Sequence, residues 1–463
     1  MQKYDIIVIG MGPAGMTVSG MASQMGMKVL GIDAKKVGGE CLNNGCIPSK
    51  SLLKMAGLKH AAEHLEGYGL ELEGKVKVLN PLGVVNQQLR MLTGDNLLKK
   101  FRLVDLIIKE GYGRFVDEHT VEVAGVKYTA DLIFIATGTE PFIPPIPGLD
   151  EVPIITNLNV FEERPIPGRL LIIGGGAIGA EMAQAFSRLG SEVVLAQMDA
   201  HLIPNGDEEA ARILETAFDK EGIKVLNSTG ITRVARDKKG IAMHTDQGVF
   251  YGDEILVATG RKPVLEPLNL EAAGIEATKK GITVDAFNRT NKKHIYAVGD
   301  CNGQWLLSHS AMHQGMVSLM QAMSGAEDPK YNRDNYPVPW SVFTDPEVAQ
   351  VGLTQQQAEA MGIDFIIIKE EYKTYARAIT DGATQGFVKV LTDLKGTIHG
   401  VTIVGEMASE LIAEWTMVMG SGLGMMNILM TQHSFPTIGL LNKNVAESWM
   451  MQVAREGDIK SML

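Results

Sequence analysis

Two stretches of the chain join a continuous apolar run to a glycine-rich turn. They read YDIIVIGMGPAG at residues 4–15 and RLLIIGGGAIG at residues 169–179. Continuous apolar runs that end at glycine or proline are typical of strands covered on both faces of a parallel sheet. Each stretch is followed by another apolar run that leads from an acidic residue into an Ala-Thr-Gly turn, in DLIFIATGTEP (131–141) and DEILVATGRKP (253–263). The hydrophobic pattern therefore predicts a duplicated α/β unit.

The spacing of the glycines in the two turns predicts dinucleotide binding. The first glycine permits the tight turn, the second lets the backbone approach a pyrophosphate, and the third lets the helix pack closely on the strand. The pyrophosphate then lies at the positive end of the helix dipole. A purely structural duplication is the alternative. Because each glycine turn is followed by the same apolar run and Ala-Thr-Gly turn, the sequence favours cofactor sites. The candidate residues are Gly10, Gly12, Gly15, Gly174, Gly176 and Gly179, with Thr137, Gly138 and Gly260 from the Ala-Thr-Gly turns.

An acidic residue about 20 positions beyond the glycines is expected to hold the ribose of the cofactor. In the first copy this residue is Asp33, at the end of KVLGID. In the second copy the corresponding position, at the end of EVVLAQ, is Gln197. Glutamine can hydrogen-bond ribose hydroxyls, but it lacks the negative charge that repels the 2′-phosphate of NADPH. Because no arginine follows at once to bind that phosphate, the sequence favours NADH.

Changes of pattern divide the chain into four segments and predict an α/β fold. We expect a nucleotide-binding segment at 1–149, a second nucleotide-binding domain at 150–270 and a return to the first domain at 271–334. From 335 to 463 the pattern becomes alternating strands, such as FVKVL, and then helices. The predicted architecture is two doubly wound Rossmann-like nucleotide-binding domains followed by a C-terminal α+β domain.

Composition restricts the classes of function. The 463 residues are 45% apolar and 21% charged, which is typical of folded domains. The net charge of −11 disfavours a surface that binds DNA or RNA phosphates. No run approaches the ~18 apolar residues of a membrane span, and the N-terminal apolar stretch is too short for a signal peptide. We therefore expect a cytoplasmic protein that neither binds nucleic acid nor spans a membrane.

The segment GGECLNNGCIPSK, residues 38–50, contains the candidate redox chemistry. Cys41 and Cys46 lie at a predicted helix start, where the helix N-terminus lowers the pKa of a thiol and favours thiol–disulfide exchange. Three cysteines in a chain of this length do not form a disulfide framework. A pair of cysteines beside a dinucleotide site favours redox chemistry over the alternative of two buried free thiols. Cys301 has no partner nearby in the sequence and is expected to pack as a small apolar side chain.

Over essentially its full length the chain resembles the class I pyridine nucleotide–disulfide oxidoreductases, which include dihydrolipoamide dehydrogenase, glutathione reductase and mercuric reductase. The most specific match is GGECLNNGCIPSK, close to the family's GGTCLNVGCIPSK, and YAVGDCNG and VFTDPEVAQVGLT add to it. The resemblance implies a dihydrolipoamide dehydrogenase-like enzyme that passes electrons from NAD(P)H through FAD to the cysteine pair. The expected partner is a small-molecule or protein-bound disulfide or another electron acceptor. The resemblance also implies that residues 1–149 and 271–334 bind FAD, residues 150–270 bind NAD(P)H, and residues 335–463 build a homodimer.

The resemblance implies a role for each candidate residue. Cys46 would be the thiolate next to the flavin, and Cys41 the thiol that meets the substrate. Lys50 would lie near flavin N5 and pair with Glu181; the alternative is an ordinary surface ion pair of little energetic weight. FAD would be bound by Gly10, Gly12, Gly15, Asp33, Lys50, Thr137, Gly138 and Asp300, and NAD(P)H by Gly174, Gly176, Gly179, Gln197 and Gly260.

The chain departs from the family pattern near its C-terminus. There the family carries a histidine before Pro-Thr and a glutamate five residues after it, and this pair from the partner subunit shuttles protons to the interchange thiol. The present sequence is QHSFPTIGLLNK, with Phe435 and Leu440 at the two positions. Phenylalanine cannot transfer a proton, and general base catalysis is typically worth ~100- to 10,000-fold. Oxidation of ordinary dithiols should therefore be slow, unless His433 takes over as the base.

Several functions remain open at this stage. The acceptor of a reductase that lacks this histidine could be a quinone, a reactive low-molecular-weight disulfide or persulfide, or a metal ion. The carboxylating relative 2-ketopropyl-coenzyme M oxidoreductase/carboxylase also has phenylalanine at the histidine position, and a non-catalytic FAD-binding subunit is a further alternative. No metal site is predicted. The homodimer would put Phe435 against the partner's disulfide, and the amphipathic stretch Val445–Gly457 suits either the dimer interface or a helix that closes its own subunit.

Overall fold

The computed structural model describes residues 2–455, and its first unit is built around a largely parallel sheet. The strands are β1 (Gln2–Ile9), β2 (Val29–Asp33), β3 (Val104–Ile108), β4 (Arg114–Asp117), β5 (Thr120–Val123), β6 (Val126–Ile135) and β7 (Thr139–Pro141). The helices are α1 (Pro13–Gln24), α2 (Gly39–Asn44), α3 (Cys46–Glu63), α4 (Pro81–Leu92) and α5 (Asp95–Leu98). The sheet order is β3-β2-β1-β6-β5-β4, and the central strand β1 pairs in parallel with β2 and β6. Residues 6–9 of β1 are buried, as expected for a strand covered on both faces.

The second unit repeats this plan on a smaller scale. Its strands are β8 (Arg169–Ile173), β9 (Glu192–Ala196), β10 (Lys224–Leu226), β11 (Ile231–Asp237), β12 (Gly240–Thr245), β13 (Gly248–Gly252), β14 (Glu254–Val257) and β15 (Arg261–Pro263), and its helices are α6 (Ala177–Arg188) and α7 (Glu208–Lys220). A parallel sheet runs in the order β10-β9-β8-β14, and β11, β12 and β13 form an antiparallel sheet beside it. The short strand β15 pairs with β7, so the strands after the two Ala-Thr-Gly turns join the two units.

The chain then returns to the first unit. This segment comprises β16 (Ala277–Thr278), β17 (Gly281–Ile282), β18 (Ile295–Ala297) and α8 (Ser308–Ser324). Strand β18 lies parallel to β6, with Ile295 opposite Ile133, and therefore extends the parallel part of the first sheet. Helix α8 packs against α1, which brings its N-terminus towards the first glycine turn.

The C-terminal unit is an antiparallel sheet covered by helices. The strands are β19 (Trp340–Val342), β20 (Glu347–Gly352), β21 (Ile366–Glu371), β22 (Phe387–Thr392) and β23 (Ile398–Gly405), and the helices are α9 (Gln355–Ala360), α10 (Ala376–Thr380), α11 (Ala408–Gly420), α12 (Met425–Met430) and α13 (Leu440–Arg455). The sheet order is β19-β20-β23-β22-β21. Trp415 of α11 and Trp449 of α13 are fully buried in the core of this unit.

A buried ion pair joins the second unit to the C-terminal unit. Lys389 of β22 contacts Asp207 at 2.7 Å, and the side chains are 3% and 0% exposed. Asp207 is also the N-cap of α7, where it accepts a hydrogen bond from the backbone of Glu209. Breaking a buried pair leaves an uncompensated charge, so this contact holds the two units in a defined arrangement.

Helix α13 contains most of the amphipathic stretch that was expected either at the dimer interface or against its own subunit. Its residues Val445, Ala446, Trp449 and Val453 are buried against the chain's own C-terminal unit, so the amphipathic face closes its own subunit. The last two residues of the predicted stretch, 456 and 457, lie outside the described residues. Within residues 2–455, no helix has the length and apolarity needed to cross a bilayer.

Candidate active site

The two glycine turns share one backbone geometry, and it explains why each recurs with an Ala-Thr-Gly turn. Gly10 has φ of +102°, and a Cβ atom there would lie 2.3 Å from the carbonyl oxygen of Ala136. Gly174 has φ of +104°, and its Cβ would lie 2.4 Å from the carbonyl oxygen of Ala258. Both alanines are the first residue of an Ala-Thr-Gly turn. Only glycine therefore fits at the end of β1 and β8, because a side chain would collide with the neighbouring turn.

The other glycines of each turn divide into one that is packed and one that is open. A Cβ on Gly15 or Gly179 would lie 1.8 Å from the carbonyl oxygen of the first glycine, which fixes how closely the helix follows the strand. By contrast, a Cβ on Gly176 would meet nothing within 4 Å, and one on Gly12 would meet only Gly39, at 3.8 Å. The open positions lie at the N-termini of α1 and α6, where a pyrophosphate is expected to bind.

Asp33 holds the first turn in shape. Its carboxylate accepts hydrogen bonds from the backbone N–H of Met11 at 2.8 Å and of Lys35 at 2.7 Å. Burial raises the pKa of this carboxyl against the lowering effect of these bonds. Asp33 also lines the cleft described below, so its carboxylate connects the turn to the predicted ribose position.

Gln197 takes the same structural position in the second turn but uses its amide differently. Its Oε1 accepts a hydrogen bond from Gly175 N at 2.8 Å, and its Nε2 donates to Asp199 Oδ2 at 2.7 Å. Each end of the amide thus makes one hydrogen bond within the second unit, and the role of Gln197 at a ribose stays a prediction. Its partner Asp199 is exposed and supplies a carboxylate that the sequence interpretation did not consider.

Cys41 and Cys46 lie on two different helices. Cys46 begins α3, as expected from the sequence, whereas Cys41 belongs to the short preceding helix α2. The break between them is at Gly45, where φ is −134° and ψ is −110°. The Cys41 thiol donates a hydrogen bond to Cys46, and Cys46 Sγ lies 3.4 Å from the hydroxyl oxygen of Ser308 at the start of α8. The backbone break thus brings the two sulfurs together beside a hydroxyl group.

The environment separates the acidities of the two thiols. The hydrogen bond from Cys41, assisted by Ser308 and by the charge of Lys50, lowers the pKa of Cys46 to about 6 despite its burial. The same hydrogen bond, together with burial, raises the pKa of Cys41 above its ordinary value. In the dithiol form, Cys46 is therefore a thiolate at neutral pH, and Cys41 keeps its proton. Cys301 is fully buried, as expected for a packed side chain.

Lys50 and Glu181 form an ion pair between the two nucleotide units. Lys50 Nζ lies 2.9 and 2.8 Å from the two carboxylate oxygens of Glu181. Glu181 is only 4% exposed and also accepts a hydrogen bond from Phe343 N, while Lys50 Nζ lies 4.3 Å from the centre of the Phe343 ring. This is not the surface pair of the alternative interpretation, because one partner is buried and the pair lies inside the cleft.

Asp300 belongs to a polar network that reaches the redox helix. Thr139 donates a hydrogen bond to Asp300 at 3.0 Å and accepts one from Arg261 Nε at 2.7 Å. Arg261 also contacts the carboxylate of Glu40, the residue before Cys41, and Asn157 donates to the same carboxylate at 2.9 Å. Burial raises the pKa of Asp300. The network ties the second Ala-Thr-Gly turn to α2.

One cleft of about 1400 Å³ collects most of the predicted residues. Those that line it are Gly10, Gly12, Asp33, Cys41, Cys46, Lys50, Thr137, Gly138, Glu181 and Asp300. Its lining does not include Gly15, Gly174, Gly176, Gly179, Gln197 or Gly260, although Ala177 and Ile178 at the start of α6 belong to it. Gly260 instead accepts a hydrogen bond from Phe142 N at 2.9 Å, where the two units meet. The volume, the open glycine and the carboxylates fit a dinucleotide that ends at the two thiols.

The C-terminal segment that departs from the family lies on the surface. Phe435 is 76% exposed, and its ring does not line the cleft of its own subunit. Leu440 begins α13 and packs against the C-terminal core. An exposed aromatic ring on the domain expected to dimerise is consistent with burial against a second subunit, and the position of Phe435 at a partner's disulfide stays a prediction.

His433 is occupied by its own subunit. Its Nε2 lies 2.8 Å from Glu414 Oε1, and its Nδ1 lies 3.2 Å from the carbonyl oxygen of Thr431. Asn442 donates to the other oxygen of Glu414 at 2.8 Å. These contacts hold the ring within its own subunit, and His433 does not line the cleft there. The alternative that His433 replaces the missing base stays a prediction.

Some residues at the site were missed from the sequence. Arg261 occupies the place in the second Ala-Thr-Gly motif where the first has Thr139, and this difference between the copies was a usable signal. Glu40 lies next to Cys41, but no sequence motif marked it as a site residue. Ser308 had no signal in the sequence, because only the folding of α8 onto α1 brings its hydroxyl to Cys46.

Comparison with known proteins gives a consistent result along the chain. The family described as pyridine nucleotide-disulphide oxidoreductase matches residues 4–315, and its dimerisation domain matches residues 338–443. A dihydrolipoyl dehydrogenase from Thermus scotoductus is 38% identical over 453 residues, which cover 95% of this chain and 95% of that protein. A dihydrolipoyl dehydrogenase from Bacillus subtilis is 33% identical over 459 residues, 97% of this chain and 98% of that protein.

The fold comparison agrees with the sequence comparison. The solved structure of an HOCl-induced flavoprotein disulfide reductase from Escherichia coli matches with a TM-score of 0.85 and 25% identity, covering 97% of this chain and 100% of that one. The predicted family and the predicted fold class are confirmed. The relatives favour disulfide reduction over the alternatives of a carboxylase, a quinone reductase or a non-catalytic subunit.

Proposed function

The chain belongs to the pyridine nucleotide-disulphide oxidoreductase family, and we propose that it carries electrons from NADH through FAD to Cys46 and Cys41 and on to a small disulfide. Membership makes it an FAD-dependent NAD(P)H oxidoreductase that acts on a sulfur group. The observation that carries the proposal is the place of the two thiols. Both line the cleft that begins at the first glycine turn, and they are hydrogen-bonded to each other there.

The first unit has the groups needed to hold FAD. Gly12 leaves room at the N-terminus of α1, where backbone N–H groups and the helix dipole favour a pyrophosphate. Asp33 would bind the ribose, and Asp300 and Lys50 would contact the flavin half near the thiols. When bound, FAD supplies the coupling between hydride uptake from the nicotinamide and electron delivery to sulfur.

The two thiols would have separate tasks. Cys46, with its pKa lowered to about 6, would be the thiolate that stays beside the flavin. Cys41 would be the interchange thiol, because it is the partner that holds a proton and is released for attack once that proton leaves. Lys50, fixed by Glu181, would keep a positive charge near the Cys46 thiolate. Exchange then follows the ordinary chemistry of a thiolate attacking a disulfide sulfur.

NADH rather than NADPH would be the electron donor. Gln197 directs its amide N–H to Asp199, so the second turn ends in a negative charge beside the predicted ribose position. A carboxylate there repels a 2′-phosphate and can accept hydrogen bonds from ribose hydroxyls. The charge that the sequence interpretation missed at position 197 is thus supplied two residues later.

The homodimer is part of the proposal for the acceptor site. The match to a dimerisation domain supports a homodimer. In that dimer the exposed ring of Phe435 would cover the partner's disulfide and give the acceptor an apolar wall without an acid or base.

Anaerobic titration of the holoenzyme with NADH tests the thiol relay. The two-electron-reduced protein should develop long-wavelength absorption from a thiolate beside the flavin, and Cys46→Ser should abolish it. Cys301→Ser is the matched control, because the buried Cys301 thiol donates to the carbonyl oxygens of Ile135 and Val298 and should leave the band unchanged. If the wild type shows only bleaching of the flavin, or if quinone reduction is fast and independent of Cys46, the disulfide-reductase proposal fails.

A further inference from the structure

The cleft offers the two thiols very little that can move a proton. Within residues 2–455, the side chains that hydrogen-bond to Cys46 are Cys41 and Ser308. A serine hydroxyl does not ionise near neutral pH, so Ser308 can stabilise a thiolate but cannot serve as its acid. Lys50 is tied to both oxygens of Glu181, and Glu181 is tied to Lys50 and to Phe343 N.

Two other carboxylates of the lining are engaged elsewhere. Glu40 is bound by Arg261 and Asn157, and Asp300 is bound by Thr139. Glu410 and Tyr112 also line the cleft, but no hydrogen bond joins either side chain to a thiol. Among the described residues, His309 is the one imidazole in the lining, and its Nε2 donates to the carbonyl oxygen of Pro339 at 2.6 Å. His309 makes no hydrogen bond to either thiol, but its Nδ1 is uncommitted, so it must enter any test as a competing proton source.

The C-terminal segment has no proton carrier at the two positions where the family has its histidine and glutamate. Phe435 and Leu440 are hydrocarbon side chains, and the ring of His433 is bound by Glu414 and Thr431 of its own subunit. A dimer that brings this segment to the thiols would therefore place an apolar ring beside them and supply no acid at the positions of the family's histidine and glutamate. A departing sulfur in such a site must leave as a thiolate.

We propose that the acceptor is a disulfide whose departing thiol is acidic, so that it leaves as a stable thiolate without a proton from the protein. This inference rests on the disulfide reduction proposed above and names its substrate class. The rate of thiol–disulfide exchange rises as the departing thiol becomes more acidic. Without an acid catalyst, the enzyme depends on that property of the substrate for the full rate.

The exchange balances with the two thiols alone. Cys41 loses its proton to solvent, and its thiolate attacks the acceptor. A Cys41–acceptor mixed disulfide forms, and the first thiolate leaves. Cys46, which remained a thiolate, then attacks the Cys41 sulfur, closes the Cys41–Cys46 bond and releases the second thiolate. The dithiol gives up two electrons and one net proton, and the disulfide acceptor becomes two thiolates.

The test is stopped-flow oxidation of the pre-reduced holoenzyme by a graded series of disulfides. The series runs from 5,5′-dithiobis(2-nitrobenzoate) and dithiodipyridine to hydroxyethyl disulfide and lipoamide, and free dithiothreitol gives the intrinsic reactivity of each. We expect the wild type to prefer the aromatic over the aliphatic disulfides roughly 100-fold or more beyond the preference of dithiothreitol. Phe435→His with Leu440→Glu should reduce this excess, whereas His309→Gln should leave it unchanged.

A second measurement avoids dependence on that double variant. Phe435 is 76% exposed, so Phe435→Ala should not disturb the fold and should admit small buffer acids. Added imidazole is expected to accelerate its reaction with lipoamide and not its reaction with the aromatic disulfides. The inference would be overturned if the rates of wild type and dithiothreitol changed in the same proportion across the series. It would also be overturned if His309→Gln lost the extra preference for aromatic disulfides.

Failure of the underlying function is recognised separately. In Cys46→Ser, mass spectrometry after addition of the aromatic disulfide should find the mixed disulfide on Cys41, independently of any flavin signal. If Cys41→Ser still releases the aromatic thiolate at the wild-type rate, the thiols are not the route and the proposed function itself fails. If adduct formation at Cys41 is intact but the preference is absent, only the inference about the acceptor fails.

Discussion

The two nucleotide-binding units use one turn with two different charge arrangements. In the first, the amide after the leading glycine is held by the carboxylate of Asp33; in the second, the same amide is held by the neutral side chain of Gln197. The second turn recovers a carboxylate from Asp199, which is exposed, whereas Asp33 is half-buried. The two units thus share the backbone turn but differ in the carboxylate, which is half-buried in the first unit and exposed in the second.

Substitution of the leading glycine should give the largest effects and separate the two units. Gly10→Ala places a Cβ 2.3 Å from a carbonyl oxygen, at φ of +102°, so we expect a protein purified without flavin. Gly174→Ala makes the equivalent collision, at 2.4 Å, but should retain FAD and lose NADH binding. Flavin absorbance and NADH titration check the two results. Gly26→Ala, at a loop glycine with open space around it, controls for the strain of positive φ alone. Loss of FAD in both variants would contradict the division of roles.

The next effect concerns the ion pair that joins the two units. Lys50→Met leaves the buried carboxylate of Glu181 without its cation and removes a charge that lowers the pKa of Cys46. A hydrogen bond to a charged group is worth about 1.5–3 kcal/mol, which corresponds to roughly a 10- to 100-fold loss of turnover. Adding Glu181→Gln to Lys50→Met should restore part of the lost turnover. Steady-state rates of the four proteins give the coupling, and strictly additive losses would show that the pair is not a unit.

Ser308 should have a smaller effect that appears in the pH dependence. The pKa of Cys46 is lowered from its ordinary value to about 6, so the thiolate band should be full at neutral pH and fade as the pH falls through about 6. Ser308→Ala removes a hydrogen bond to the thiolate, which should raise the midpoint by about one pH unit. Ser51→Ala, on α3 but bonded to Gln88, is the control. A midpoint unchanged in Ser308→Ala would show that the hydroxyl does not stabilise the thiolate.

The smallest effect should come from Asp199. Removing one exposed negative charge near a 2′-phosphate is worth about 1 kcal/mol, so Asp199→Asn should raise kcat/KM for NADPH roughly 5-fold. The rate with NADH should change little, and Asp246→Asn, at a more distant turn, should change neither. Ratios of kcat/KM for the two nucleotides provide the measurement. A preference for NADPH in the wild type would contradict the proposed role of the carboxylate.

Much of this architecture could be predicted because local sequence determines it. The apolar runs, the glycine spacing and the Cys-x4-Cys segment report strands, turns and thiols that depend on neighbours within a few residues. The contacts of Ser308 with Cys46 and of Arg261 with Glu40 join positions more than two hundred residues apart, so no local pattern announces them. Asp199 was missed for a different reason. The position expected to bind the ribose holds the neutral Gln197, and the carboxylate follows two residues later. The predicted domain boundaries and residue roles stay predictions.

The proposed function requires that Cys41 and Cys46 exchange electrons with the bound flavin. Anaerobic titration with dithionite counts those electrons directly. The wild-type holoenzyme should take up twice as many electrons per bound FAD as Cys41→Ser, because the disulfide accepts a pair of its own. Equal uptake by the two proteins would mean that the thiols are isolated from the flavin and that no thiol relay exists.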